Sequence, residues 1–244
     1  MLKTIDLKGK RVLITGAGSG IGRAIALRLA EEGMKLALVG RDADKLVRTA
    51  AMTGRPLDML VLPADITTRR GIDDIMHVLE GHFKGLDVLV NNAGRALNCP
   101  FEETTEADFD DIMALNVKAP FVLCQRSLKL LRQSDCPTII NIGSVVAYQG
   151  YARQAAYAAS KHALLGMTKA LAKEVGGEGI RVHMIAPGSV YTDMIAVARP
   201  DLSPEGMIQP EEVAELAAWL IAHRGNAVID EIRLHRANKE PFQS

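Results

Sequence analysis

Tyr157 and Lys161 stand four residues apart at the start of a long Ala-rich stretch. On a helix that spacing sets both side chains on one face, one turn apart. A fixed ammonium beside a phenol makes the phenol easier to ionise. At about 4 Å a unit charge is worth roughly 4 kcal/mol at an effective dielectric of about 20. That is enough to move a phenol by about 3 units from its reference of about 10. A tyrosine tuned in this way exchanges a proton with a substrate oxygen. The same pair also occurs on solvated helix faces, so its meaning depends on the elements that carry it.

Near the N-terminus, Arg11-Val12-Leu13-Ile14-Thr15 reads as a short buried strand. It runs into Gly16-Ala17-Gly18-Ser19-Gly20-Ile21-Gly22, and an amphipathic stretch follows with Ile21, Ile25 and Leu29 at helical spacing. Strand, glycine turn and helix make a phosphate site: helix N-terminal amides and the positive dipole end face the pyrophosphate, and glycines let the backbones approach. The spacing is not the usual G-x-G-x-x-G, because position 21 is Ile.

The pattern continues as alternating elements. Strands are expected near 11–15, 34–39, 58–62, 86–90, 138–143, 180–186 and 228–234. Helices are expected near 21–32, 43–52, 69–82, 105–131, 151–175 and 210–223. Alternation of this kind predicts an α/β protein: a single domain over 1–244 with a Rossmann-like, doubly wound parallel sheet of about seven strands and helices on both faces. Ligands of such sheets bind beyond the carboxyl ends of the strands.

With those elements in place the motifs form an ordered set. Thr15 to Gly22, Asn91-Asn92-Ala93-Gly94, Asn116, Ser144, Tyr157 with Lys161, and Pro187-Gly188 followed by Thr192 together resemble the short-chain dehydrogenase/reductase family. The resemblance covers roughly residues 8 to 235. It implies an enzyme that interconverts a ketone or aldehyde and its alcohol with a nicotinamide cofactor. Tyr157 is then the general acid in reduction and the base in oxidation, and Lys161 lowers its pKa and bonds the nicotinamide ribose. Ser144 holds the substrate carbonyl oxygen, and Asn116 anchors a water that relays protons through Lys161. Ser144 as a helix N-cap and Asn116 as a helix irregularity are the plainer alternatives.

On the cofactor side the resemblance implies contacts from Gly16, Ser19, Gly20, Ile21 and Gly22. It adds Asp65 and Ile66 at the adenine, Asn91, Ala93 and Gly94 along the ribose, and Pro187, Gly188, Val190 and Thr192 at the nicotinamide amide. In the family an acid that binds the ribose 2′-OH sits where this chain has Gly40. Glycine leaves room for a 2′-phosphate, and Arg41 can pair with it. NADP(H) is therefore expected over NAD(H), with Asp42 the complicating neighbour.

Substrate recognition is expected in a lid over 193–209, carrying Met194, Ile195, Met207 and Ile208. Arg95 to Leu97 and Val145 to Tyr148 would form the other walls, with Arg95, Arg153 or Arg199 as candidate anion partners. The last strand runs Asp230-Glu231-Ile232-Arg233-Leu234-His235 into a polar tail over 236–244. That ending resembles a subgroup acting on 3-hydroxy acids and related small carbonyl compounds. A 3-oxoacyl or 3-hydroxy acid substrate leads. A sugar, polyol or steroid alcohol dehydrogenase using NAD(H) is the alternative, and a non-catalytic nucleotide-binding regulator the second.

Composition narrows the partners. Lys and Arg balance Asp and Glu at 29 each, with no basic stripe, so no nucleic acid is expected. No apolar run reaches membrane-span length, and no signal-peptide core precedes the first strand. Cys99, Cys124 and Cys136 are scattered, and the six histidines have no metal-ligand spacing, so neither disulfides nor a metal is expected. A cytoplasmic homo-oligomer, tetramer or dimer, completes the expectation.

Overall fold

The structure is a computed structural model that describes residues 4–239. Seven parallel strands form one sheet in the order β3-β2-β1-β4-β5-β6-β7. They are β1 (Arg11–Thr15), β2 (Lys35–Gly40), β3 (Met59–Pro63), β4 (Val88–Asn91), β5 (Thr138–Ile142), β6 (Arg181–Pro187) and β7 (Glu231–Leu234). The order reverses between β1 and β4, which is the switch point of a doubly wound sheet.

The period-two geometry of a strand explains why the central strands are apolar throughout. Val12, Ile14, Leu36, Leu38, Val88 and Val90 face one layer, packed with Ile25 and Leu29 of α1 (Gly20–Glu31) and Val213 and Ile221 of α8 (Pro210–Ala222). Leu13, Ala37, Val39 and Leu89 face the other layer. There they meet Ile72 and Ile75 of α3 (Arg69–Val78), Leu123 of α5 (Ala119–Leu131) and Val175 of α6 (Ala155–Val175). Short polar side chains start the helices. Asp42 accepts from the Lys45 amide at 3.0 Å to cap α2 (Ala43–Met52), and Thr68 accepts from Gly71 at 3.0 Å to cap α3.

The expected helix over 105–131 is interrupted. It divides into α4 (Glu106–Met113), a π turn over Ala114–Lys118, and α5. Pro120 supplies the reason. It has no N–H to give to the Asn116 carbonyl four residues back, and its ring crowds that carbonyl. The Ala119 amide bonds Ala114 instead, five residues back. Asn116 therefore sits in a helix irregularity with a stated cause, a geometry frequent at functional sites. The helix expected over 69–82 likewise ends in a π turn, Leu79–Phe83. The 193–209 segment contains α7 (Asp193–Ala198), started by Thr192, whose hydroxyl accepts from the Ile195 amide at 3.4 Å.

At the amino ends of the strands, Asp87 accepts from the Arg11 amide and guanidinium and from Ser134. Burial alone would raise the Asp87 carboxyl, but these bonds outweigh it and hold the group low. Asp87, Asp135 and Cys136 are the described side chains close enough together to ligate an ion. Asp87 is already engaged as above, and Asp135 pairs with Lys10 at 2.6 Å.

Candidate active site

A cleft of about 1560 Å³ opens along the carboxyl ends of the strands. That exceeds an ordinary small-molecule pocket of roughly 300–1,000 Å³ and suits a dinucleotide together with a small substrate. Its floor at the switch point is Gly16, Ser19, Gly20 and Ile21. The first turn of α1 carries no acidic side chain, so its amides and dipole face the cleft uncompensated. These residues fit a pyrophosphate.

Two side chains brace this floor. The Thr15 hydroxyl accepts from the Asn92 and Ala93 amides at 3.0 Å each. The Asn92 carboxamide donates to the carbonyls of Thr15 at 2.9 Å and Gly16 at 3.3 Å. The glycine turn after β1 is thus tied to the end of β4 across the switch point. Gly22 belongs to this brace and not to the cleft surface: a Cβ there would stand 2.3 Å from the Gly16 carbonyl oxygen. Asn91 is a further correction. Its side chain turns into the core and donates to Asn141 at 2.8 Å, while Ala93 and Gly94 line the cleft.

Beyond β2 and β3 the walls carry Arg41, Lys45, Asp65 and Ile66. Asp42 spends its carboxylate on the α2 cap. Asp65 accepts from the Thr67 hydroxyl at 2.7 Å and amide at 2.9 Å. Those bonds, with a smaller pull from nearby Arg41, hold its carboxyl below the usual range. Beyond β6, Pro187, Gly188, Val190 and Thr192 line the other end.

Between these ends stand Ser144, Tyr157 and Lys161. Ser144 follows β5 and accepts from the Val146 amide at 3.2 Å, so it does cap a short 3-10 turn. Its hydroxyl also bonds the Tyr157 phenol. Tyr157 and Lys161 share one face of α6, with the ammonium 5.8 Å from the ring centroid. Lys161 donates to the Ile142 carbonyl at 3.0 Å. The net shift of the phenol runs opposite to the lowering expected from the ammonium. Burial pushes Tyr157 up from its ordinary value, and the Ser144 hydrogen bond only partly opposes it. Burial also lowers Lys161, to about 8.

Asn116 lies behind this wall and is fully buried. Its carboxamide closes a ring with the Arg95 backbone, accepting at 2.8 Å and donating at 2.9 Å, and donates to Ser160 at 3.0 Å. A Cβ on Gly94 would lie 3.3 Å from Asn116 Oδ1 and 3.8 Å from Lys161 Nζ, so the two polar groups flank one point of the backbone.

The substrate walls differ from expectation in several places, and Ala147 is buried in the core instead of lining the cleft. Tyr148 turns away and donates to Glu231 at 2.9 Å, whereas Val145 and Val146 line the cleft. Met207 and Ile208 are buried at the end of the 193–209 segment, where Ile208 pairs with Val190 and joins the core. Arg95 is held by Asp108 and Asp111, and Arg199 by Asp201. Arg153 lies outside the cleft lining. Of the polar tail, Arg236 and Lys239 line the cleft, and 240–244 lie outside the described residues. Lys45, Arg236 and Lys239 escape a reading of the sequence, since lone basic residues near strand ends carry no motif.

A phosphate cradle at the switch point, opening onto a half-buried tyrosine beside a buried lysine, defines a dinucleotide-dependent oxidoreductase. Similarity to known proteins carries this to a family. A family model described as short chain dehydrogenase matches residues 10–203. Levodione reductase of Leifsonia aquatica is 36% identical over 208 residues, covering 84% of this chain and 77% of that protein. A levodione reductase crystal structure superposes with a TM-score of 0.87 at 30% identity, covering 94% of this chain and 97% of that one. A Brucella melitensis 3-ketoacyl-(acyl-carrier-protein) reductase solved with NADH gives 0.86 at 28% identity, with 95% and 98% covered. A Shigella flexneri short chain dehydrogenase complexed with NADP gives 0.85 at 33%, with 94% and 98% covered. The chain belongs to the short-chain dehydrogenase family and is an NAD(P)-dependent oxidoreductase. Among the described residues no helix is long and apolar enough to cross a membrane.

Proposed function

We propose that this protein is an NADP(H)-dependent reductase of ketones or aldehydes, with a 3-oxoacyl or 3-hydroxy acid type substrate. The convergence of Ser144, Tyr157 and Lys161 on one stretch of cleft wall carries the reading. The bound nicotinamide supplies the hydride. Ser144 donates to the substrate carbonyl oxygen and shares its developing charge. Tyr157, a phenol protonated at neutral pH at its ordinary value of about 10 and pushed further up by burial, delivers the proton to that oxygen. Lys161 stabilises the phenolate left behind, and Asn116 fixes the 94–95 backbone and Ser160 around it. The 3-ketoacyl reductase from Brucella melitensis, as a structural relative, supports the substrate class. The substrate reading is tested by NADPH oxidation with an acetoacetyl thioester, run beside a polyol and a steroid ketone. Turnover confined to the latter two would replace it.

The cofactor preference rests on Arg41 at the cleft rim beyond Gly40, with the Asp42 carboxylate committed to the α2 cap. A charge-assisted bond of about 1.5–3 kcal/mol corresponds to roughly 10- to 100-fold in affinity. Arg41→Ala is therefore expected to weaken NADPH by roughly 10- to 100-fold and NADH by far less. Fluorescence titration of both cofactors checks this, and equal losses would remove the 2′-phosphate assignment.

Lys161 gives the reaction a pH limit. Its ammonium is charged below about 8 and neutral above. The value of kcat/KM for NADPH reports groups on the free protein. It is expected to be level through neutral pH and to fall as pH rises through about 8. In Lys161→Arg, which stays charged, that inflection should vanish. An inflection shared by both proteins would assign it to another group.

Homo-oligomerisation belongs to the same reading, supported by the exposed Phe109 and Phe121 on α4 and α5. Three free cysteines, two of them buried, support a cytoplasmic location.

A further inference from the structure

The segment after β7 turns back over the cleft. Gly188 donates to the Leu234 carbonyl at 2.8 Å, which fixes the end of β7 against the loop after β6. The Lys239 amide donates to the Arg236 carbonyl at 3.0 Å and closes a turn. Asn238 packs on the lid: a Cβ at Gly206 would stand 2.6 Å from its Nδ2. Arg236 falls between these fixed points of the chain and lines the cleft.

Its guanidinium is out of balance. Arg236 is 8% exposed, and its Nη2 is buried without a hydrogen-bond partner. Among the described residues it has no ion pair, in contrast to Arg95 and Arg199. A buried cation without an anion is costly, and each such group in a native protein calls for an explanation.

We propose that Arg236, with Lys239 beside it, forms an anion subsite for the carboxylate of a short 3-oxo or 3-hydroxy acid. The proposal rests on the reductase reading above and names its substrate class. Position separates this site from the cofactor phosphates' end. β7 lies five strand steps from β2, where Arg41 stands, or roughly 24 Å at about 4.8 Å per step. It lies only two steps, roughly 10 Å, from β5, which Ser144 follows. An arginine side chain and a four-carbon 3-oxo acid together span that distance. A guanidinium donates charge-assisted hydrogen bonds to a carboxylate.

The test uses the full-length protein with NADPH and a matched pair, 3-oxobutanoate and its methyl ester. The parent is expected to prefer the acid. In Arg236→Gln the acid-to-ester ratio of kcat/KM should fall about 30-fold, as loss of a charge-assisted bond predicts. Arg236→Lys should restore part of it. Acid and ester falling together, or NADPH affinity falling as much as the acid's, would overturn the subsite. Turnover of the ester with no preference for the acid would also overturn it and leave the reductase reading standing. If neither compound turns over, binding of 3-hydroxybutanoate to the NADP⁺-loaded protein decides. Binding that Arg236→Gln abolishes supports the subsite although the substrate assignment has failed, and no binding by the parent overturns it.

Discussion

Tyr157→Phe is expected to bind NADPH as the parent does and to lose about 10²- to 10⁴-fold in kcat, the usual worth of a positioned proton donor. The substitution removes one oxygen and keeps the ring. Ser144 keeps its bond from the Val146 amide, so the substrate-side hydroxyl is not set adrift. Lys161 keeps its bond to the Ile142 carbonyl. The glycine floor and its brace from Thr15 and Asn92 lie on other strands and are untouched. The loss should therefore fall on the chemical step alone. Initial rates with saturating NADPH, set beside a fluorescence titration, separate the two. Parent-like turnover would mean that the proton comes from elsewhere, and a matching loss of cofactor affinity would mean that the ring positions the nicotinamide. Ser144→Ala should lose less, because it removes a hydrogen bond to the carbonyl oxygen and leaves the proton donor in place.

The parts of this molecule that are legible in its sequence are those written as repeated local pattern. Continuous apolar runs mark strands covered on both faces, and Val12, Leu13 and Ile14 divide between two core layers as a period of two requires. The glycine turn, Ser144 and the Tyr157–Lys161 pair are legible because strand end and helix face each impose a spacing. What escapes the sequence depends on distant parts of the chain. Asn91 reads like its neighbour Asn92, yet strand alternation sends its side chain to Asn141 and Cys124 in the core. Tyr148 leaves the cleft because Glu231, 83 residues on, accepts its hydroxyl. The direction of the Tyr157 shift differs from expectation for the same reason. Helix spacing predicts nearness to Lys161, whereas the phenol's charge state also depends on burial, which only packing decides. The π turn at Asn116 does have a local signal in Pro120, four residues ahead.

Gly22→Ala is expected to weaken NADPH binding by roughly 10- to 100-fold, the worth of a charge-assisted hydrogen bond of about 1.5–3 kcal/mol between the α1 amides and the pyrophosphate. The added methyl would stand 2.3 Å from the Gly16 carbonyl oxygen, 2.8 Å from the Gly16 carbonyl carbon and 2.4 Å from Asn92 Nδ2. Two of those neighbours are backbone, and the third holds the Thr15 and Gly16 carbonyls. No flexible side-chain end is available to yield, so α1 must move away from the turn. Its N-terminal amides would then no longer face the pyrophosphate. Overpacking of this kind also costs about 1–3 kcal/mol of stability. Gly166→Ala is the matched control. Gly166 lies in α6 with nothing within 4 Å of the point where a Cβ would stand, so alanine there should stabilise by roughly 0.5–1 kcal/mol. Urea unfolding and NADPH titration of both variants give the comparison. Parent-like binding by Gly22→Ala would mean that α1 accommodates the methyl by a shift the phosphate contacts do not feel. The cradle would then be set by Gly16 and Gly20, whose positive φ of 67° and 50° no alanine adopts without strain.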